Sequence, residues 1–213
     1  MSFPIMIVIA YLLGSVPFGL IIAKSHGKDL RSIGSGNIGA TNVSRALGKK
    51  WGYICFFLDL LKGLLPTLVA TKLLSEPPTT LQLLLWLAVG ISAVLGHVFP
   101  IYLKFKGGKG VATSFGFALG IWPYYTLSVP IAFLVWLVCV LIWRYISLAS
   151  MVASLVFAIT LAFVIWLKAE WSFSQLWPLM AAAVLIAGLV MLRHKDNIKR
   201  IIAGTENKVL QKK

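Results

Sequence analysis

Acidic side chains are the scarcest chemistry in this chain: six Asp or Glu stand against twenty Lys or Arg among 213 residues. Asp29, Asp59, Glu76, Glu170, Asp196 and Glu206 are scattered along it. A two-metal phosphotransfer centre needs several carboxylates gathered together, so that class is disfavoured. Charge of either sign is low as well, at 12%, where soluble domains carry about 25%. Two cysteines, Cys55 and Cys139, lie far apart inside apolar runs and suggest neither a disulfide framework nor a metal site. No basic region precedes the first apolar run (Met-Ser-Phe-Pro), so that run is expected to be a retained span rather than a removed signal.

What fills the chain instead is apolar: 59% of residues, with mean hydropathy +0.90. An all-α integral membrane protein is expected, as one domain over residues 1–213. Spans are expected at Phe3–Ala23, Trp51–Thr71, Leu81 to about Pro100, Ile146–Leu167 and Leu176–Leu192. Residues 111–145 are ambiguous. One helix to Trp143 would run about 50 Å, too long for a single crossing. Trp122-Pro123-Tyr124-Tyr125 sets a proline among interface-seeking aromatics, so a break is expected there. Val111–Trp122 is then too short to cross, and a span of about 18 residues follows it. The break makes seven transmembrane helices. It also puts three basic stretches, Lys24–Lys50, Lys104–Lys109 and the tail from Arg193, on one side. The positive-inside rule makes that side cytoplasmic, with the N-terminus outside and the C-terminus cytoplasmic. Such clustering is ordinary for cytoplasmic loops, so no nucleic acid partner is inferred. Anionic lipid or an anionic substrate would also be drawn to it.

Glycine accompanies the cations. Arg31–Lys50 reads R-S-I-G-S-G-N-I-G-A-T-N-V-S-R-A-L-G-K-K. Gly34, Gly36 and Gly39 permit tight turns that aim successive N–H groups one way, a nest for anions. Ser35, Asn37, Thr41 and Asn42 add side-chain donors, and Arg45 can form a two-pronged bond to phosphate or carboxylate. A plain solvated loop is the alternative, and it leaves the regular glycines and Arg45 unexplained. The second stretch, Lys104-Phe-Lys-Gly107-Gly108-Lys109-Gly110 followed by V-A-T-S, again suits phosphate. It is not a Walker A loop: Leu103 stands where that motif needs its first Gly, and Gly110 follows the Lys in place of Ser or Thr. An anion loop at a helix start is expected, recessed below the cytoplasmic surface and shielded by protein. In the tail, a continuing helix would put His194 and Asn197 on one face, with Arg193 and Arg200 nearby. Asp59 and Lys62, three apart in the second span, are either a structural ion pair or neighbours of the site. His97, before Phe-Pro at a span end, reads as structural.

Repeated aspartates on adjacent turns, the pattern of alcohol phosphatidyltransferases, are absent. So is the His-x4-Asp pair of soluble-domain glycerolipid acyltransferases: Arg31, Tyr102 and Lys199 stand five after His26, His97 and His194. Three long motifs carry a different resemblance. G-S-G-N-I-G-A-T-N-V-S-R-A-L-G-K, then G-H-V-F-P with F-K-G-G-K-G-V-A-T, then R-H-K-D-N-I-K-R with G-T-E resemble the three cytoplasmic motifs of the bacterial acyl-phosphate-dependent glycerol-3-phosphate acyltransferases. The match covers essentially the whole chain.

The resemblance implies transfer of a fatty acyl group from acyl phosphate to the 1-position of glycerol 3-phosphate. The products would be lysophosphatidate and phosphate, for phospholipid synthesis. It implies a bacterial cytoplasmic (inner) membrane location, an active site facing the cytoplasm, no cofactor, no metal and no coenzyme A donor. Its partners would be glycerol 3-phosphate, acyl phosphate, membrane lipid and the soluble enzyme that makes the acyl phosphate. Carried over by motif, Ser35, Gly36, Asn37 and Thr41 cradle a phosphate, and Arg45 and Lys109 neutralise it. His194 and Asn197 bind and orient the second substrate, with His194 the one plausible protein base near neutral pH. Gly34, Asn42, Lys104, Gly107, Gly108 and Arg193 complete the expected binding set; Ser35 and Lys109 join His194 and Asn197 in the catalytic one. The acyl phosphate's own phosphate is the alternative acceptor of the hydroxyl proton. An organic-phosphate membrane transporter is the competing class. Interrupted helices and a basic cavity would suit it, but no inverted repeat is visible and the motifs lie on one side.

Overall fold

The computed structural model describes residues 2–209, and every regular element among them is helical. In order the α-helices are α1 Phe3–Ser15, α2 Phe18–Ser25, α3 Ala40–Leu47, α4 Lys49–Ala70, α5 Thr80–Val98, α6 Val111–Gly120, α7 Ser128–Trp143, α8 Ile146–Leu167, α9 Phe173–Arg193 and α10 Lys195–Ile202, with short 3-10 turns at Thr71–Leu73 and Ile101–Leu103. They fall into two compact units divided between Ile121 and Trp122.

The first departure from the sequence reading lies in the first span, expected as one piece from Phe3 to Ala23. The residue before a proline is pushed out of the helical region, and Val16 is extended at φ −62° and ψ 117°. Pro17 has no N–H with which to continue the ladder. α1 therefore stops at Ser15 and α2 starts at Phe18. The Val16 carbonyl that the break releases accepts from Phe18 N at 3.1 Å and from the Lys62 ammonium at 3.0 Å.

In the first unit α1 packs on α5, α4 on α6, and α3 on α4. Small residues let these backbones meet. A Cβ at Gly14 would fall on the Ala93 backbone, one at Gly96 on the Tyr11 carbonyl, and one at Gly63 on the Thr113 carbonyl. Close approach of this kind is how apolar helices gain dispersion contact where lipid removes the hydrophobic drive to associate. The polar segment between α2 and α3 is anchored from beneath: Leu30, Ile38 and Val43 bury against Ile22, Ala23 and Cys55.

In the second unit α7 packs on α8 and α8 on α9. Tyr125 is fully buried there. Its hydroxyl donates to the Leu179 carbonyl at 2.8 Å, and its ring meets Phe157 edge-on at 4.9 Å.

Among the described residues, five stretches are long and apolar enough to cross a membrane: Phe3–Ser25, Lys49–Leu73, Thr80–Leu103, Ile146–Leu167 and Phe173–Arg193. By length and composition they would carry the chain across a membrane several times. Val111–Gly120 and Ser128–Trp143 are apolar but shorter. The long run over residues 111–143 breaks where the aromatic-proline cluster lies, between Gly120 and Ser128. The ten residues of α6 reach about 15 Å, half of a hydrocarbon core of about 30 Å. α7 has 16 residues, fewer than the full span expected after the break.

Candidate functional site

The first glycine loop is built around Asn42, which sits in the first turn of α3 and is 2% exposed. Its Nδ2 lies 3.1 Å from the Leu30 carbonyl, 2.9 Å from that of Ile33 and 2.9 Å from that of Asn37. Its Oδ1 accepts from Ser35 N at 3.1 Å. A single amide thus gathers four backbone groups of the preceding loop. Asn42 is expected among the phosphate-binding donors; in this structure its amide holds the loop together.

Gly34 and Gly36 take left-handed φ values of 58° and 66°, which a side chain would disfavour. Gly39 does not; at φ −82° it caps α3. The N–H groups of Ser35, Gly36 and Gly39 bond to Asn42 Oδ1 at 3.1 Å, the Ile33 carbonyl at 3.0 Å and Asn37 Oδ1 at 2.9 Å. These three N–H groups of the expected nest are engaged within the loop. What the loop turns outward is side chains: Ser35 is exposed, Thr41 half-buried, and Arg45 exposed in the last turn of α3.

The second glycine loop caps α5. Gly107 N bonds the Val98 carbonyl at 3.2 Å and Gly108 N the His97 carbonyl at 3.0 Å, so carbonyls that a helix end leaves orphaned are satisfied by the loop. A Cβ at Gly107 would strike the His97 carbonyl, and one at Gly108 the His97 ring. These glycines let the loop approach the end of α5 closely. Lys104 adopts φ 51° and is exposed, Lys109 is half-buried, and Gly110 opens α6 at φ 81°. The structure joins the two loops, since the Arg31 guanidinium donates to the Lys106 carbonyl.

Behind the second loop lies the pair that the sequence left open. Asp59 Oδ1 is 2.8 Å from Lys62 Nζ and 3.5 Å from His97 Nδ1. All three side chains are at most 5% exposed.

His194 and Asn197 belong to the second unit, and both are buried. The single helix expected through them is interrupted: α9 ends at Arg193, half-buried. His194 sits at the joint with φ −104° and ψ 7°, and Asn197 lies in the first turn of α10. His194 Nδ1 is 2.7 Å from the Val190 carbonyl. A carbonyl only accepts, so Nδ1 carries the hydrogen, and the neutral ring keeps Nε2 as its acceptor.

Glu206, absent from the expected site, organises this corner. Its Oε1 accepts from Asn197 Nδ2 at 2.6 Å and Ser147 Oγ at 2.8 Å, and its Oε2 from Arg200 Nε at 2.7 Å. Burial pushes the Glu206 carboxyl up; the hydrogen bonds from Asn197, Arg200 and Ser147 and the Arg200 charge outweigh it, and the carboxyl ends below its ordinary range. The G-T-E tripeptide was its only sequence signal. Among the described residues, no three His, Cys, Asp or Glu side chains gather as metal ligands would.

Comparison with known proteins matches a family-level sequence model, glycerol-3-phosphate acyltransferase, over residues 4–204. A glycerol-3-phosphate acyltransferase of Aquifex aeolicus is 43% identical over 203 residues, covering 95% of this chain and 97% of the relative. One from Trichlorobacter lovleyi is 46% identical over 199 residues, covering 93% of each. Among solved structures, PlsY (YgiH), an integral membrane glycerol 3-phosphate acyltransferase in its glycerol 3-phosphate form, superposes with a TM-score of 0.83 at 42% identity. That match covers 98% of this chain and 96% of the other. The lysophosphatidic acid form of PlsY gives 0.80 at 41%, covering 98% and 95%.

Proposed function

The chain belongs to the glycerol-3-phosphate acyltransferase family, and from that premise we propose that it transfers a fatty acyl group from acyl phosphate to the 1-hydroxyl of glycerol 3-phosphate. The observation that carries the reading is the reach of the family match. Residues 4–204 take in the first two cation-bearing motifs and the third from Arg193 to Gly204.

Phosphate is a good leaving group, so the protein need mainly position the reactants and stabilise charge on the developing oxyanion. Ser35, Thr41 and Arg45 hold one phosphate, with Asn42 shaping the loop that carries Ser35. Lys104 and Lys109 neutralise charge on phosphate from the second loop. His194, its Nδ1–H engaged by the Val190 carbonyl, presents Nε2 to the glycerol hydroxyl, and Asn197 orients that substrate. The hydroxyl oxygen attacks the acyl carbonyl carbon, and the carbon–oxygen bond to phosphate breaks. The hydroxyl proton passes to His194 Nε2 or to the phosphate of the donor. Lysophosphatidate and inorganic phosphate result. We read residues 1–213 as one functional domain of seven membrane segments, N-terminus outside, motifs and C-terminus on the cytoplasmic side of a bacterial inner membrane. Sixteen of the twenty Lys and Arg fall in three stretches, and that concentration supports the orientation. A soluble enzyme that makes acyl phosphate would supply the donor.

The test is a detergent assay of the purified protein with labelled glycerol 3-phosphate and palmitoyl phosphate, and in parallel with palmitoyl-coenzyme A. Lysophosphatidate from palmitoyl phosphate alone is the expected result. Product from the thioester would keep the acyl transfer and overturn the donor. No product from either, with the protein folded, would sink the reading and turn attention to phosphate flux in liposomes.

A further inference from the structure

The buried charges of the first unit end on the loop that carries Lys109. The sequence of contacts starts at the break in the first span, where the Val16 carbonyl accepts from Lys62 Nζ at 3.0 Å. Lys62 pairs with Asp59 at 2.8 Å, and the same Asp59 oxygen faces His97 Nδ1 at 3.5 Å. A charged group inside a membrane segment is costly unless paired. Here each member of the chain has a partner on another turn or another helix. His97 in turn underlies the second glycine loop by two routes. Its carbonyl accepts from Gly108 N at 3.0 Å, and its ring fills the space where a Gly108 side chain would otherwise stand. Gly108 directly precedes Lys109.

From this geometry we infer that His97 is a positioning residue. Its imidazole, oriented by Asp59, seats Gly107 and Gly108 so that Lys109 is presented to a substrate phosphate. The inference rests on the phosphate role proposed above for the Lys109 loop. His97 does not itself touch substrate; it acts through the backbone of Gly108. Cys55, whose thiol lies 3.7 Å from Asp59 Oδ2, completes the groups that face this carboxylate. The path also gives the Val16–Pro17 break a purpose: the released carbonyl gives Lys62 a fixed acceptor, which holds Asp59 in place toward His97.

The experiment is a double-mutant cycle on the full-length protein in detergent, with palmitoyl phosphate and glycerol 3-phosphate varied in turn and thermal unfolding followed alongside. Lys109→Ala is expected to raise the KM of one substrate about tenfold or more. His97→Ala is expected to raise the same KM by a similar factor, and the double variant to be no worse than Lys109→Ala alone. His97→Gln, which refills part of the space and can still bond Asp59, is expected to recover part of the loss. A purely structural histidine would lower the unfolding temperature and the active fraction while leaving both KM values of the surviving enzyme unchanged, and that result overturns the inference. Multiplying effects in the double variant overturn it too, because they would mean that His97 acts elsewhere. Should His97→Ala not fold, His97→Gln is read by the same two criteria. If Lys109→Ala itself leaves both KM values unchanged, the phosphate role of the loop fails and takes this inference with it. An effect of Lys109 without one of His97 overturns the positioning alone.

Discussion

Asn197 Nδ2 donates to Glu206 Oε1 at 2.6 Å, so the amide end of a proposed substrate-orienting side chain is set by a carboxylate nine residues further on. Ser147 Oγ at 2.8 Å and Arg200 Nε at 2.7 Å hold that carboxylate in turn. Removing it takes the acceptor from three donors and withdraws one restraint on the Asn197 amide. Hydrogen bonds to a charged group are worth about 1.5–3 kcal/mol each. Glu206→Ala is therefore expected to lower stability by about 3 kcal/mol and kcat by about 100-fold. Thermal unfolding and turnover in detergent are the readouts. Wild-type kcat in a folded Glu206→Ala protein would show that Asn197 needs no such support.

The same carboxyl gives an acid prediction. Its folded value is held below the ordinary one, so the stabilisation it adds is fully present above the unfolded value, about 4.3 for Glu. It is lost as pH falls from there through the depressed folded value. Unfolding temperature measured from pH 7 downward should stay level until the ordinary carboxylate range and then drop. Glu206→Gln, which has no such proton to gain, should flatten that part of the drop. A variant that falls as steeply as the wild type would assign the acid sensitivity to other groups.

Arg45 stands in the last turn of α3, exposed, with its stem beside Gly34. If its fork grips a phosphate through two parallel bonds, a lysine cannot replace it. Arg45→Ala should lower kcat/KM by about 100-fold or more, the cost of losing charge-assisted bonds. Arg45→Lys should recover less than a tenth of that activity, because charge returns and geometry does not. A fully active Arg45→Lys enzyme would reduce its role to charge alone.

Legibility in the sequence followed the range over which each feature is determined. The break near Trp122 was readable because proline and interface aromatics act on their own neighbourhood. Pro17 acts as locally, but the apolar run through it has the length of one span, and hydropathy conceals a broken helix whose freed carbonyl is taken up by Lys62. The glycine loops were readable as loops. What their N–H groups bond was not, because the acceptors are Asn42 seven residues after Ser35 and the end of α5 for the second loop. Glu206 looked like one acid in a basic tail; Ser147, its partner, lies 59 residues away.

Asn42 provides the sharpest contrast between shaping the loop and touching substrate. Its Nδ2 serves the Leu30, Ile33 and Asn37 carbonyls and its Oδ1 serves Ser35 N. Asn42→Asp keeps the acceptor but loses the donor, and sets a negative charge among three carbonyl oxygens. Asn42→Ala loses both but adds no charge and leaves room for water. If the amide shapes the loop, both variants should unfold at lower temperature, by about 1–3 kcal/mol for the unpaired buried groups. Aspartate should be at least as harmful as alanine, and a KM should rise with the instability. If Asn42 met phosphate directly, alanine would raise a KM without moving the unfolding temperature. Stability and KM measured on the same two proteins separate these cases, because only the shaping role makes the isosteric carboxylate the worse replacement on both counts.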